Sequence, residues 1–339
     1  MAKIIRYNPI YPRKVKKMLS KISVEETSEF NEFFHGILNI LPFNFLPLRF
    51  KNFSESYIAI NEKKELKALL TISPTKGNFR KWFIKRLFLN ENSYEEGKQL
   101  IDYVVSKFGA SGADTFCVLI DEFDENSASL FSKMCGFRLC SREVLWKLNE
   151  DINVDSPINR EDFSLFKNSD SKEVASLFND SIFPHFRFSL ECEKEEFNET
   201  IFKGLSNSMS YKFVLKDENG IFAYTEIQSF DNKNWVTDLI VSKQYEDSYF
   251  DILKAVIRMV RKRSKSTNIY VKNRNYMSSS KSYETVLSSN NFSKFNIKML
   301  FVKDFYKPVK ENETIVNPAI ILNELPSNPA FTKFNPIQK

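Results

Sequence analysis

The sequence predicts an α/β chain in which one mixed-sheet domain occurs twice in tandem, and three observations point there. Between Trp82 and Leu148, short apolar runs and amphipathic runs follow one another in the order strand, helix, strand, helix, strand, the pattern of strands joined through helices. The pattern then returns. Tyr57 and Tyr211, Trp82 and Trp235, Ser93 and Ser248, and Phe137 and Phe292 lie 154, 153, 155 and 155 positions apart, and landmarks at a near-constant offset mark an internal repeat. Finally, 339 residues suffice for two domains with full cores. The repeat sets the expected domains at 1–150 and 155–306, followed by a tail at 307–339.

The first copy is expected to open with a short strand at 3–7, a basic amphipathic helix at 13–22 behind Pro12, and a second helical stretch at 25–41 that Pro42 and Pro47 end. Three meandering strands follow at 57–61, 66–72 and 81–89, the first two joined by Glu62-Lys63-Lys64 and the next two by a Pro- and Gly-bearing turn. A helix runs from Ser93 to Phe108, with Leu100, Ile101, Val104, Val105 and Phe108 at helical spacing and Gly109 placed to close it in the left-handed conformation. Ser93 and Glu96 read as a capping box at its start. A strand at 115–120, an acidic turn, a short helix through Met134, Gly136-Phe137 and a strand at 144–148 complete the copy.

The second copy is expected to hold a strand at 163–166, helices at 171–180 and 191–205, and strands at 211–215 and 221–228 joined by the hairpin turn Asp217-Glu218-Asn219-Gly220. A strand at 235–241, a helix from Ser248, a strand at 269–271, the basic turn Lys272-Asn273-Arg274, a helix at 282–287 and a strand at 297–302 follow. Five prolines exclude one continuous helix from the tail at 308–339.

Composition narrows the function classes. The chain carries 33 Phe, and no apolar run is long enough to span a bilayer. Its first residues lack the apolar core of a secretory signal, so a cytoplasmic protein without a membrane role is expected. Cys117, Cys135, Cys140 and Cys192 form no C-x-x-C pair, and His35 and His185 lie far from them, which argues against a zinc or disulfide framework. Cys117 sits within an apolar strand and reads as a core residue. A net charge of +6 permits an acidic ligand without requiring nucleic acid. Arg258, Arg261, Lys262, Arg263 and Lys265 form one basic cluster, best read as a solvated helix end where cations meet the macrodipole.

The order of elements around Gly97-Lys98-Gln99-Leu100, together with the short helix that begins near Glu125-Asn126-Ser127 and ends in Gly136-Phe137, resembles the cofactor-binding half of the GNAT superfamily of N-acyltransferases. That family's phosphate-binding turn, Q/R-x-x-G-x-G/A, falls here on Asn92 to Gly97, with Asn92 at the Q/R position and Glu95 at the first glycine. The second copy repeats the start as Ser248-Tyr249-Phe250-Asp251, without a glycine, and has Asn291-Phe292 in place of Gly-Phe.

The resemblance implies two twisted, mostly antiparallel sheets with helices on their faces and a splayed central strand pair in each. It also implies acetyl-CoA as co-substrate, an amine acceptor that is a small molecule or a peptide, and direct attack on the thioester. Leu87, Phe88 and Leu89 would supply backbone groups to the cofactor, with Asn92, Gly97, Lys98 and Asn126 near it. His185 and Arg187, in the second copy's early helical region, would line the acceptor site. The Tyr that often serves as general acid falls on the region of Phe131 and Ser132, and Tyr283 comes too early in its helix. For a base, alternation puts Asp238 between Val236 and Ile240 on one sheet face and Glu226 on the preceding strand. An isolated carboxylate there has a raised pKa, whereas one beside Lys or Arg is a structural ion pair. An acyltransferase and a non-catalytic binding or interaction protein of the same fold both remain open at this level, with an RNA-associated protein a weaker third.

Overall fold

Strands with long buried runs, unbroken over residues 115–120, build one twelve-stranded sheet among the described residues, and the strand order explains how the two halves are joined. The computed structural model describes residues 2–7, 54–63, 65–75, 77–90, 92–150, 152–199, 209–229, 231–263 and 267–305. The helices expected at 13–22 and 25–41, His35, Lys265, the tail, and the end of the helix expected at 191–205 lie outside these residues. The first half comprises β1 (Lys3–Arg6), β2 (Glu55–Ile60), β3 (Leu66–Thr75), β4 (Asn78–Leu89), α1 (Tyr94–Ala110), β5 (Thr115–Asp121), α2 (Glu125–Ser129) and β6 (Arg138–Leu148). The second comprises β7 (Ser164–Leu165), α3 (Ser171–Ser181), α4 (Pro184–Leu190), α5 (Lys194–Phe197), β8 (Met209–Asp217), β9 (Gly220–Ser229), β10 (Asn234–Val241), α6 (Tyr249–Arg263), β11 (Asn268–Arg274), α7 (Ser280–Ser289) and β12 (Phe292–Asp304). Starts at 209 against 55, 220 against 66, 249 against 94 and 292 against 138 keep the 154 to 155 residue offset element by element.

Across the sheet the order is β1-β2-β3-β4-β5-β12-β6-β11-β10-β9-β8-β7. Only β4–β5 and β10–β11 are parallel; every other neighbouring pair is antiparallel. The last strand of each half crosses over: β12 pairs with β5, and β6 pairs with β11. The two exchanged strands pair with each other at the centre, Phe292↔Leu148 to Val302↔Arg138. The cores are shared in the same way, with Phe301 of β12 in the first half's cluster and Val144 and Trp146 of β6 in the second's. The exchange was not foreseen from the sequence, which led to one sheet per copy.

On one face, α1 buries Leu100, Ile101, Val104, Val105 and Phe108 against Trp82, Ile84, Leu87 and Leu89 of β4. That β4 register depends on a bulge. Pairing with β3 shifts between Thr71↔Arg86 and Ile72↔Ile84, so Lys85 is the extra residue and Leu87 and Leu89 return to the face of Ile84. The α1 helix ends one residue beyond Gly109, and Gly112, with φ +102°, takes the left-handed conformation. On the same face of the second half, α6 and α7 cover Trp235, Leu239, Ile269 and Val271. The hairpin expected at residues 217–220 forms, with φ +120° at Gly220.

The other face is covered by second-half helices alone among the described residues: one cluster joins Val174, Phe178, Ile182, Leu190 and Phe197 to Cys117 and Leu119 of β5 and to Val214, Tyr224 and Ile240. A latch ties α5 to the first half. Lys81 Nζ donates to Glu191 O at 2.5 Å, Glu196 Oε1 lies 3.4 Å from it, and Asn78 Nδ2 donates to the same Oε1 at 3.0 Å. Burial works against the Lys81 charge, but Glu196 and the nearby thiols outweigh it, and its pKa stands above the usual lysine value.

Three local expectations differ. Pro184–Leu190 is a separate helix, and the described part of the helix expected at 191–205 is a single turn, α5. Lys272, Asn273 and Arg274 belong to β11 instead of a turn. The basic cluster is partly engaged: Arg258 donates to Ile158 O at 2.6 Å and Arg261 to Ile152 O at 3.2 Å, strapping the segment between the halves onto α6. No helix among the described residues is long and apolar enough to cross a membrane.

Candidate functional site

Each half contains one place where two parallel strands part. In the first, β4 and β5 pair from Lys81↔Thr115 to Ile84↔Val118. Beyond it β4 runs on to Leu89, held by β3 through Leu70↔Leu87, Leu69↔Phe88 and Ala68↔Leu89, while β5 runs on to Asp121 against β12. The parting therefore begins at the Lys85 bulge. In the second, pairing of β10 and β11 ends at Asp238↔Lys272, and β10 continues to Val241. A parallel pair that separates leaves main-chain groups facing across a gap, and such groups must find side chains, water or a ligand.

The two gaps are furnished differently. In the second half, Tyr249 opens α6 and Tyr283 stands in the first turn of α7. Their rings stack with centroids 3.7 Å apart and planes 12° from parallel, and Tyr283 Oη donates to Val241 O at 3.3 Å. Both are buried, and burial pushes the Tyr283 pKa up to about 12 and that of Tyr249 well above the ordinary tyrosine value. The pair thus stays neutral and caps a β10 carbonyl from within. The offset of 155 carries Tyr249 to Tyr94 and Tyr283 to Ala128, both half-buried against the first half's core. Where the second half inserts a phenol, the first has a methyl group.

The residues singled out from the sequence fall in three places. Leu87, Phe88 and Leu89 line β4 beyond the parting and are all buried. Asn92 is exposed with φ +56° just before α1. Ser93 makes no side-chain cap to α1, so the expected capping box with Glu96 is absent. The Gly97 N–H donates to Ser93 O at 2.9 Å, which makes it an ordinary helical amide. A Cβ on Gly97 would stand 2.6 Å from Leu89 Cδ2, so this glycine permits close helix-to-strand packing. Lys98 pairs with Asp102 one turn on at 2.5 Å. Asn126 is exposed in the first turn of α2, whose cap is Asp124 accepting from the Ser127 N–H at 2.9 Å. Ser132, near the position of the family's tyrosine, donates back to Ala128 O at 2.6 Å.

Asp238 and Glu226 face each other across β10 and β9, far along the sheet from β4. The Asp238 carboxylate is held by both terminal nitrogens of Arg274, one at 2.6 Å, with Lys272 at 4.0 Å. Arg274 also lies 3.8 Å from Glu143, which accepts from Tyr276 Oη at 3.2 Å. The bidentate fork is the geometry of a structural ion pair, the second of the two alternatives the sequence left for Asp238. Glu226 accepts from Ser210 at 3.0 Å and Gln228 at 2.5 Å. His185 is exposed on α4 between Phe183 and Phe186, at ring distances of 5.8 and 3.9 Å, and Arg187 donates to Ile182 O at 3.4 Å. The strand order keeps Asp238 and Glu226, on β10 and β9, away from the first half's parting between β4 and β5. The tyrosine pair, by contrast, escaped the sequence reading, although the shared 155-residue offset of Tyr94 and Tyr249 was available to find it.

Neither a protein-family model nor a curated protein matches the sequence. Solved structures do resemble it. One is a tandem GNAT protein from the clavulanic acid biosynthesis pathway, determined without acetyl-CoA, at 10% identity and TM-score 0.50 over 74% of this chain and 82% of that one. Another is a GCN5-related N-acetyltransferase from Sphaerobacter thermophilus, at 11% identity and TM-score 0.50 over 74% and 80%. A third is the GCN5-related glucosamine N-acetyltransferase region of a fungal multi-domain GH3 β-N-acetylglucosaminidase, at 13% identity and TM-score 0.55 over 89% of this chain and 38% of that one. The chain has the GNAT fold, present twice in tandem.

Proposed function

We propose that the chain is an acetyl-CoA-dependent N-acyltransferase whose co-substrate occupies the first half's parting, between β4 beyond Lys85 and β5 beyond Val118, with its phosphates toward the start of α1. One observation supports this reading: the strands part in both halves, and where Tyr283 of a stacked tyrosine pair caps the last β10 carbonyl in the second, the first has Ala128 at the matching position. In the transfer, the acceptor nitrogen bonds to the acyl carbon as the carbon–sulfur bond breaks, with main-chain groups of residues 85–89 orienting the thioester. The amine gives its proton to water, since Asp238 and Glu226 are engaged elsewhere, and the thiolate takes one up. The acceptor is a small-molecule or peptide amine, and the repeat units run 1–150 and 155–306.

A second reading, a non-catalytic binding protein, is favoured by Ser132, which turns its hydroxyl back onto its own helix. Titration calorimetry with acetyl-CoA separates the two. Saturable binding to the intact chain, weakened about tenfold or more by Ala128→Tyr and left unchanged by Tyr283→Ala, is the expected result. Absence of binding, or equal binding by the Ala128→Tyr variant, removes acetyl-CoA from this gap. Binding with no thiol release across a panel of amines favours the non-catalytic reading.

A further inference from the structure

The second half contains a cavity of about 690 Å³ that the reaction proposed above does not use. It lies where α3, the end of β10 and the segment before α7 meet, and it falls in the size range of small-molecule sites. Its apolar floor is Leu177 and Val241, both buried. One wall is a stripe of α3 carrying Glu173 and Asp180, seven residues and so two turns apart, about 10 Å along the axis. The segment after β10 contributes Lys243 and Gln244.

The polar groups here are lightly committed. Glu173 accepts one hydrogen bond, from the Ile221 N–H at 3.3 Å, and Asp180 one, from Ser176 at 3.4 Å. Lys243 makes no ion pair and Gln244 no side-chain hydrogen bond among the described residues. Two carboxylates and one ammonium around one apolar floor call for a ligand with two cationic groups and one anionic group. A carboxylate takes a guanidinium in a two-point fork, and an amide complements a carboxylate held by a lysine.

We propose that this cavity is a ligand site for a basic α-amino acid. Its side-chain cation and α-ammonium meet Glu173 and Asp180, and its carboxylate meets Lys243 and Gln244. Because every lining group belongs to the second half, the site stands whether or not acetyl-CoA binds in the first.

The probe is L-arginine, titrated calorimetrically into the full chain without acetyl-CoA. Saturable binding is expected, weaker by about tenfold or more in Glu173→Gln, Asp180→Asn and Lys243→Met. L-Citrulline, which keeps the shape of arginine without the side-chain charge, and agmatine, which lacks the carboxylate, should each bind about tenfold more weakly or worse. All three substituted residues are exposed, so unchanged melting temperatures separate lost binding from lost folding. Failure of L-arginine to saturate by about 10 mM, a concentration far above a specific site's range, overturns the proposal. So does equal binding of arginine and citrulline, or equal binding by the Glu173→Gln and Asp180→Asn variants. A chain that binds L-arginine but not acetyl-CoA keeps this site and loses the acyltransferase reading.

Discussion

Arg274 shows how a single residue decides between a chemical and a structural role for its neighbours. Read from the sequence, Asp238 is a charge set among apolar residues, and such a charge suits a general base. The guanidinium that answers it sits 36 positions later and reaches back from the neighbouring strand to grip both carboxylate oxygens. The same guanidinium approaches Glu143 and lies over Phe178, 5.8 Å from the ring centroid. The three ionic side chains are only 8 to 20% exposed, so removing the cation alone takes the nearest positive charge from two poorly hydrated carboxylates and leaves Asp238 with Lys272 at 4.0 Å. Arg274→Met should therefore cost about 3–5 kcal/mol of stability, read by denaturant unfolding. Replacing Glu143 with Gln in the same chain should recover part of it, because only Asp238 then remains charged there, with Lys272 4.0 Å away. Equal stability of Arg274→Met and the natural chain would contradict this account of the cluster.

At the scale of elements, most of the fold was legible. Period-3.6 patterns and short apolar runs located nearly every helix and strand of both halves among the described residues, because each helix packs one apolar stripe and a central strand such as β5 is buried on both faces. What periodicity lacks is the identity of neighbours. It could not show that Lys85 is a bulge, because a bulge is a mismatch between two strands and not a property of one. For the same reason Gly97, which fits a phosphate-loop pattern along the chain, turns out to be a contact between α1 and β4. A methyl group there would press on Leu89, so Gly97→Ala should destabilise the chain by about 1–3 kcal/mol. Combined with Leu89→Ala, the glycine substitution should cost less than it does alone, by about 1 kcal/mol, since the methyl then enters vacated space. Additive costs in that double-mutant cycle would show that the two residues do not meet. The candidate site was half legible: the β4 residues lie at a parting as the resemblance implied, whereas the groups sought for acid and base work had partners the sequence could not reveal.

For the whole molecule, the exchanged last strands make each half dependent on the other. β5 has β12 on its outer side, and β11 has β6. A fragment ending at residue 150 keeps β6 but lacks β12, so its β5 edge is exposed and its core is short of Phe301. Such a fragment should not be a stable monomer. Because β6 and β12 are counterparts in the repeat, two copies can each lend β6 to the other's β5, and the expected product is a dimer. Light scattering on the purified fragment tests this: a folded monomer would mean that β6 closes on its own β5 instead.

The pairing of Thr115 with Asp304 spans 189 positions of the chain, and synthesis runs in one direction. When β5 leaves the ribosome, the strand that must lie beside it has not yet been made, and at ordinary translation rates of roughly 5–20 residues per second that strand is about 10–40 seconds away. Through this interval the nascent first half carries an unpaired sheet edge in a crowded cell, the condition in which chaperones engage a chain. Tandem duplication with exchange thus ties completion of the first half to a strand made only after most of the second.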